Sequence, residues 1–156
     1  NEQEAEQVIV ITGFAHQSIE DRVAGFKKVL DPRFRYKRYR FVETQADGAA
    51  LVATLIDKEA LDKKKTILFV TNDNVAIGIV NELVEQGISI PEQVKVIGYD
   101  NIRATSFCRI PLTTVSQSTI HIGEQAAKAL LQLINKERTE PLHQLIGPVL
   151  VRRHSL

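Results

Sequence analysis

The sequence predicts an α/β fold built on a doubly wound, mainly parallel sheet. Three observations lead there. Apolar runs at Val8–Ile11 and Ile67–Val70, and the mostly apolar Val94–Ile97, suit strands buried on both faces. Between such runs, apolar residues recur three and four apart, the spacing of a helix with one inward side. The two kinds of segment alternate along the first hundred residues, which favours right-handed βαβ units.

Taken in order, Val8–Ile11 is the first strand, and Thr12–Gln17 is a loop with Gly13 at its turn. Ser18 followed by Asp21 resembles a capping box. The helix behind it places Ile19, Val23, Phe26 and Leu30 inward, and Asp31-Pro32 ends it. A second strand lies within Arg35–Val42. Asp47 is a candidate cap for a helix with Leu51, Leu55 and Ile56 inward. Ile67–Val70 follows a lysine-rich link. Asn72 or Asp73 then caps a helix that buries Ala76, Ile79, Val80 and Leu83 and stops at Gly87. After Val94–Ile97 come a helical turn within Ile102–Phe107 and an extended piece, Leu112–Val115. Ser118 or Thr119 starts a helix with Ile120, Ala127, Leu130, Leu131 and Ile134 on one side. A last strand lies in Leu145–Val151. Pro148 cannot donate to a ladder, so that strand belongs at an edge or begins after it.

Composition removes several classes of function. At 156 residues the chain can bury a substantial core, and its 44% hydrophobic content argues against disorder. Lys and Arg number 20 against 19 Asp and Glu, so no charge excess directs it to nucleic acid or an anionic membrane. No run approaches the roughly 20 apolar residues of a spanning helix, and the polar NEQEAEQ start shows no secretory signal. Cys108 is alone, which excludes an internal disulfide and fits a reducing, cytoplasmic setting. The absence of Met, with Asn1 first, leads us to expect a fragment or a processed chain.

Ligands in parallel sheets sit beyond the carboxyl ends of the strands. Three polar residues converge there: Arg22 near the start of the first helix, Asn72 after Ile67–Val70, and Asp100 after Val94–Ile97. Carboxylate, amide and guanidinium suit a small polyhydroxy ligand. Singly, each has an ordinary alternative, Asn72 and Asp100 as caps or loop formers and Arg22 as a surface cation paired with Glu20 or Asp21. Phe14 stands in the first such loop, able to stack on a sugar face or to join the core. Arg33, Arg35, Lys37, Arg38 and Arg40 alternate with Phe34, Tyr36, Tyr39 and Phe41. We read this as an edge strand with aromatics inward and basic stems over the rim, rather than a nucleic-acid patch. Enzyme signatures are lacking. Gly13 has no companion glycines for a dinucleotide or phosphate loop, and no nucleophile elbow is present. His16, His121, His143 and His154 lack ligand spacing, so neither a metal nor a cofactor is expected.

The runs FVTNDNVAIG, LVEQGISIPEQVKVIGYDN and IPLTTVSQSTIHIGEQAAKALLQLI, preceded by ITGFAHQSIEDRVAGFKKVL, resemble the effector-binding domain of LacI/GalR-family repressors over nearly the whole chain. The resemblance implies a periplasmic-binding-protein-like fold of two α/β lobes joined by three crossovers. A sugar or related effector lies between the lobes and sets the DNA affinity of a separate helix-turn-helix headpiece. Matched residue by residue, it implies effector contacts at Arg22, Asn72 and Asp100, a loop contact at Ser18, and one on the crossover at Gln117. Two aromatics frequent in the family are missing: Thr44–Gly48 has none, and Ser118 and Thr119 stand where another is common.

On the same resemblance, residues 7–115 form the C-terminal lobe, 116–144 a crossover and a helix that normally packs on the other lobe, and 145–156 a closing strand and tail. The helix Ser118–Asn135 is then expected to keep an uncovered apolar face and to mediate association. Ile79–Glu85 and Ile102–Arg109 are implied in homodimer contact, with Cys108 at that interface. DNA would be reached only through a headpiece lying outside this chain. Half a cleft cannot supply differential affinity between lobe arrangements, so weak or undetectable effector binding by this chain alone is expected. The alternatives are a transport-type sugar-binding protein of the same fold, and an α/β enzyme or nucleic-acid binder acting through Arg33–Arg40.

Overall fold

The computed structural model describes residues 5–40 and 42–156. The elements alternate as expected: β1 (Gln7–Ile11), α1 (Gln17–Val29), β2 (Arg35–Tyr39), α2 (Gln45–Glu59), β3 (Thr66–Val70), α3 (Asp73–Glu85), β4 (Val94–Tyr99), a 3-10 turn (Arg103–Ser106), β5 (Thr113–Ser116), α4 (Thr119–Ile134) and β6 (Val149–Val151). They form a six-stranded sheet in the order β2-β1-β3-β4-β5-β6. Every neighbouring pair is parallel except β5 with β6. The fold class is therefore α/β with a mainly parallel sheet, and β6 begins just after Pro148 at the edge where an antiparallel strand fits.

Side chains alternate between the two faces of each strand. Ile9, Ile11, Leu68, Val70, Val94 and Val96 enter the main core with Val52, Leu55, Val75, Ile79 and Leu83 of α2 and α3. Val10 and Phe69 turn the other way and meet Val23, with Phe26, Tyr36, Ile97 and Tyr99 packed around them. Phe26 stacks on Phe69 with ring centroids 4.9 Å apart. Helices α2 and α3 lie close enough to need glycine at their crossing. A Cβ on Gly78 would run into the backbone carbonyl of Gln45, and one on Gly48 into that of Val75.

Several local expectations change. Helix α1 starts earlier than Ser18–Asp21 suggests: His16 is the N-cap, without a side-chain bond, and its carbonyl accepts from the N–H of Ile19 and Glu20. Ser18 is already helical there, and Asp21 is engaged by the Gln17 amide at 2.8 Å. Arg22 consequently lies beyond the first turn. Of the four inward α1 residues only Val23 is fully buried; Ile19, Phe26 and Leu30 are half-buried. Thr44, not Asp47, caps α2. Its hydroxyl accepts from Asp47 N–H at 3.1 Å while the Asp47 carboxylate accepts from Thr44 N–H at 3.0 Å, a reciprocal box. Val52 is buried in α2 beside Leu55, whereas Leu51 and Ile56 are half-buried.

The β2 edge also departs from the aromatic-in, basic-out scheme. Both faces of the strand are covered, so parity rather than polarity sorts its residues. Arg35, Lys37 and Tyr39 turn to the fully buried Glu59 carboxylate of α2, with Lys37 Nζ at 2.5 Å and Tyr39 Oη at 2.7 Å. Tyr36 and Arg38 turn to α1, where Lys27 sits over the Tyr36 ring and Arg38 forms a two-pronged bond to Glu20 at 2.7 and 2.8 Å. Phe41 of that pattern lies outside the described residues, as do the first four of the polar start.

Helix α4 stands apart. None of its residues is buried, and Ile120, Leu130, Leu131 and Ile134 are exposed. The C-terminal tail instead returns to the sheet. Ser155 is buried, its hydroxyl donating to Val96 carbonyl at 2.6 Å and accepting from Thr113 N–H at 2.8 Å. Among the described residues no helix is long and apolar enough to cross a membrane.

Candidate functional site

The carboxyl ends of β3, β4 and β5 bring three of the expected residues together. Arg22 reaches from the second turn of α1, Asp100 follows β4, and Gln117 follows β5. Arg22 Nη1 donates to Thr71 carbonyl at 2.9 Å and lies 3.9 Å from Asp100 Oδ1. Its guanidinium covers the Tyr99 ring, 3.8 Å from the centroid. Gln117 Nε2 donates to the same Asp100 oxygen at 2.7 Å. The ordinary alternative for Arg22 is not realised: Glu20 is engaged by Arg38, and Asp21 by Gln17.

Asp100 is held under constraint. Its φ is 116° and that of Asn101 is 55°, both where side chains crowd the backbone. Asp100 N–H donates to Val115 carbonyl at 2.9 Å, so the turn is tied to β5. Burial pushes the Asp100 carboxyl above its ordinary value, although the Arg22 charge and the Gln117 hydrogen bond pull it down. The carboxylate therefore has acceptor capacity, in a half-dry setting, that its present partners do not saturate.

Asn72 stands one residue after Thr71 at the same edge. It is also the N-cap of α3, with Oδ1 accepting from Asn74 N–H at 2.8 Å and Val75 N–H at 3.3 Å. Its amide nitrogen is what remains for a ligand. The next residue, Asp73, is fully buried. It accepts from Thr114 hydroxyl at 2.7 Å and Ile102 N–H at 3.0 Å, joining α3 to both sides of the Asp100 turn. Burial raises its carboxyl as well, against those hydrogen bonds. A Cβ on Gly98 would strike Asp73 Oδ1, so glycine precedes Tyr99 for space.

With that geometry in view, residues 2–156 match the model of the periplasmic binding protein-like domain. The chain belongs to that family. Its relatives include the HTH-type transcriptional repressor PurR of Vibrio parahaemolyticus, 32% identical over 143 residues, which are 89% of this chain and 42% of the relative. A PurR repressor of Actinobacillus pleuropneumoniae is 39% identical over 98 residues, 62% of this chain and 29% of the relative. Among solved structures, a LacI family transcriptional regulator from Enterococcus faecium with bound ribose superposes with a TM-score of 0.79 at 26% identity, covering 97% of this chain and 56% of that one. The match is thus to the effector-binding part of LacI-type regulators, and the relatives are transcriptional repressors rather than enzymes. The chain spans about two fifths of the length of the first curated relatives it matches.

Two expected residues of this family member stay outside the cluster. Ser18 is exposed in the first turn of α1. Phe14 is 57% exposed, so it is not core, and its N–H donates to Glu43 Oε1 at 2.5 Å. A cavity of about 400 Å³ opens on the other side of Asp100, bounded by Asn101, Ser116, Ser118, His121 and Glu124. A larger one, about 600 Å³, lies at the amino ends of β3 and β4, beside Lys65, Gln93 and Lys95. Size does not select the site here. The larger cavity is at the wrong end of a parallel sheet, and its Gln93 amide is committed to Leu61 carbonyl.

Tyr99 is the site residue that sequence reasoning passed over. A signal existed: it lies two positions after Ile97, on the face that meets α1, while Arg22 lies four before Phe26 on the facing side of that helix. Among the described residues no group of three or more His, Cys, Asp or Glu is placed to hold a metal ion.

Proposed function

We propose that the chain is an effector-sensing lobe of a LacI/GalR-type regulator and that Arg22, Asn72, Asp100 and Gln117 grip a small hydroxylated effector at its sheet edge. The observation that carries this reading is one carboxylate oxygen, on a constrained turn, shared by a guanidinium from α1 and an amide from the crossover. Such a group accepts from adjacent ligand hydroxyls, while Arg22 and the Asn72 amide donate to them. The ribose in the Enterococcus faecium regulator supports a sugar-like ligand. Tyr99 is covered by Arg22, so it stiffens the guanidinium rather than offering its own free face. Ser18 and Phe14 are exposed at the outer rim, where they would meet a ligand only once the cleft is closed from the other side.

In this reading residues 7–115 are the lobe proper, 116–144 the crossover and outlying helix, and 145–156 the closing strand and tail. The bare face of α4 is the surface a second lobe or second subunit would cover. Effector occupancy then biases the arrangement of lobes, and through it a DNA-binding headpiece outside this chain.

The test is a nuclear magnetic resonance titration with ribose and a panel of hexoses up to high millimolar concentration. Weak binding is expected, with shifts confined to residues around Arg22, Asn72, Asp100 and Gln117 and abolished by Arg22→Ala or Asp100→Asn. No response to any sugar, or shifts that persist in both variants, would sink the proposal.

A further inference from the structure

The C-terminal tail reaches the effector turn through one side chain. Arg153 follows β6 and is half-buried. Its Nη2 donates to Asn101 Oδ1 at 2.8 Å and its Nη1 to Leu112 carbonyl at 2.7 Å. Its own N–H donates to Thr113 hydroxyl at 2.9 Å, which fixes the base of the side chain on β5. Asn101 is the second residue of the turn and, like Asp100, has positive φ. Its other described tether is weak, N–H to Thr114 hydroxyl at 3.3 Å.

A two-residue turn with both φ values positive is strained and persists only where its surroundings over-determine it. The planar guanidinium suits this task because it fastens two acceptors in one fixed geometry. One prong holds Leu112, the residue just before β5, and the other holds the turn, so their separation is set by a rigid group. Asp100, one residue away, takes its direction from that clamp together with its own bond to Val115 carbonyl.

We infer that Arg153 is a positioning residue for the effector site, holding the Asp100–Asn101 turn so that the Asp100 carboxylate faces Arg22 and Gln117. The effector half of this statement rests on the function proposed above; the positioning half does not. A second tail contact serves as the internal control. Ser155 anchors the same segment to Val96 and Thr113 without touching the turn, so Ser155→Ala loosens the tail while leaving the Arg153 link in place.

The experiment follows the Asp100 side-chain carboxyl by carbon-detected pH titration in the parent and three variants. Arg153→Leu removes the clamp. Asn101→Gly removes its acceptor, keeps a residue that accepts positive φ, and leaves the tail untouched. In both, Asp100 is expected to swing toward solvent, its titration falling toward the ordinary carboxylate range, and its amide to exchange about tenfold faster. Ser155→Ala is expected to lower the melting temperature and leave the Asp100 titration in place. If Arg153→Leu does not fold, Asn101→Gly decides alone. An Asp100 titration that is unmoved in the variants lacking the link, or that moves as far in Ser155→Ala, overturns the inference. Ribose titrations on the same samples separate the two halves. A parent without any sugar response strikes the effector reading and leaves the positioning result standing. Binding weakened about tenfold in Arg153→Leu supports both; equal binding with an unmoved carboxyl refutes the positioning role.

Discussion

Helices α3 and α4 make opposite use of similar material. Helix α3 buries Val75, Ala76, Ile77, Ile79, Val80 and Leu83, because α2 covers one side of it and β3 and β4 the other. Helix α4 has Ile120, Leu130, Leu131 and Ile134 at helical spacing and buries none of them. The difference teaches where the domain is finished. One face of the sheet is closed by two helices in backbone contact at Gly48 and Gly78. The polar cluster around Asp100 lies instead at the carboxyl ends of β3, β4 and β5, next to the start of the uncovered α4.

The sharpest way to break the comparison is to truncate matched leucines. Leu83→Ala should cost about 3 kcal/mol in urea unfolding, the lost transfer energy plus a cavity with no means of collapse, whereas Leu131→Ala, measured at chain concentrations too low for association, should change stability by less than about 0.5 kcal/mol. Equal costs would mean that α4 is packed in solution. Next in size are the glycines. Gly78→Ala should destabilise by about 1–3 kcal/mol because its methyl meets the Gln45 carbonyl. Gly123→Ala, with nothing near its Cβ, should stabilise by about 0.5–1 kcal/mol through helix propensity.

Acid titration contrasts the closed and open charge sites. Burial raises the Glu59 carboxyl, but the hydrogen bonds from Lys37 and Tyr39 and the charges of Lys37 and Arg35 outweigh it, leaving it below 4.5. Its contribution to stability is present above 4.5 and is lost as pH falls through the lower folded value. Asp100 has the opposite sign. Its folded value lies above 3.8, so its contribution is present below 3.8 and is lost as pH rises through the folded value. Asp100→Asn should therefore leave the unliganded chain as stable or up to about 1 kcal/mol more stable at neutral pH. An effector whose hydroxyls donate to the ionised carboxylate should bind more tightly as pH rises through the same value. A binding curve flat across that interval would count against Asp100 as the acceptor. The gentlest probe is association. Light scattering should show self-association through α4 that weakens when Leu131→Glu and Ile134→Glu are combined, and a strictly monomeric parent would remove that face as a docking surface.

Much of this was legible beforehand. The buried runs at β1, β3 and β4, a cap at Asn72 or Asp73 and the convergence of Arg22 and Asp100 on one edge follow from periodicity, from capping chemistry and from the position of ligands at parallel strand ends. The misreadings differ in kind. Ser18–Asp21 and Thr44–Asp47 are both locally sound capping pairs, but α1 is capped at His16, which leaves Ser18 inside the helix, whereas α2 uses the second pair. Residues of β2 could not be sorted by polarity because a strand covered on both faces sorts them by parity. Tyr99 and Arg153 were missed because their partners, Arg22 and Asn101, lie 77 and 52 residues away along the chain.

Alternating apolar periods and strand-end polar residues are properties of neighbours in the chain, and they were enough to establish the class of fold and the edge at which to look. Which oxygen Arg22 and Gln117 share, how the Asp100 turn is clamped, and which apolar helix goes uncovered depend on groups brought together from distant segments. Those meetings are decided only when the sheet closes, because hydrogen bonds and packing act over a few ångströms in space and not along the sequence.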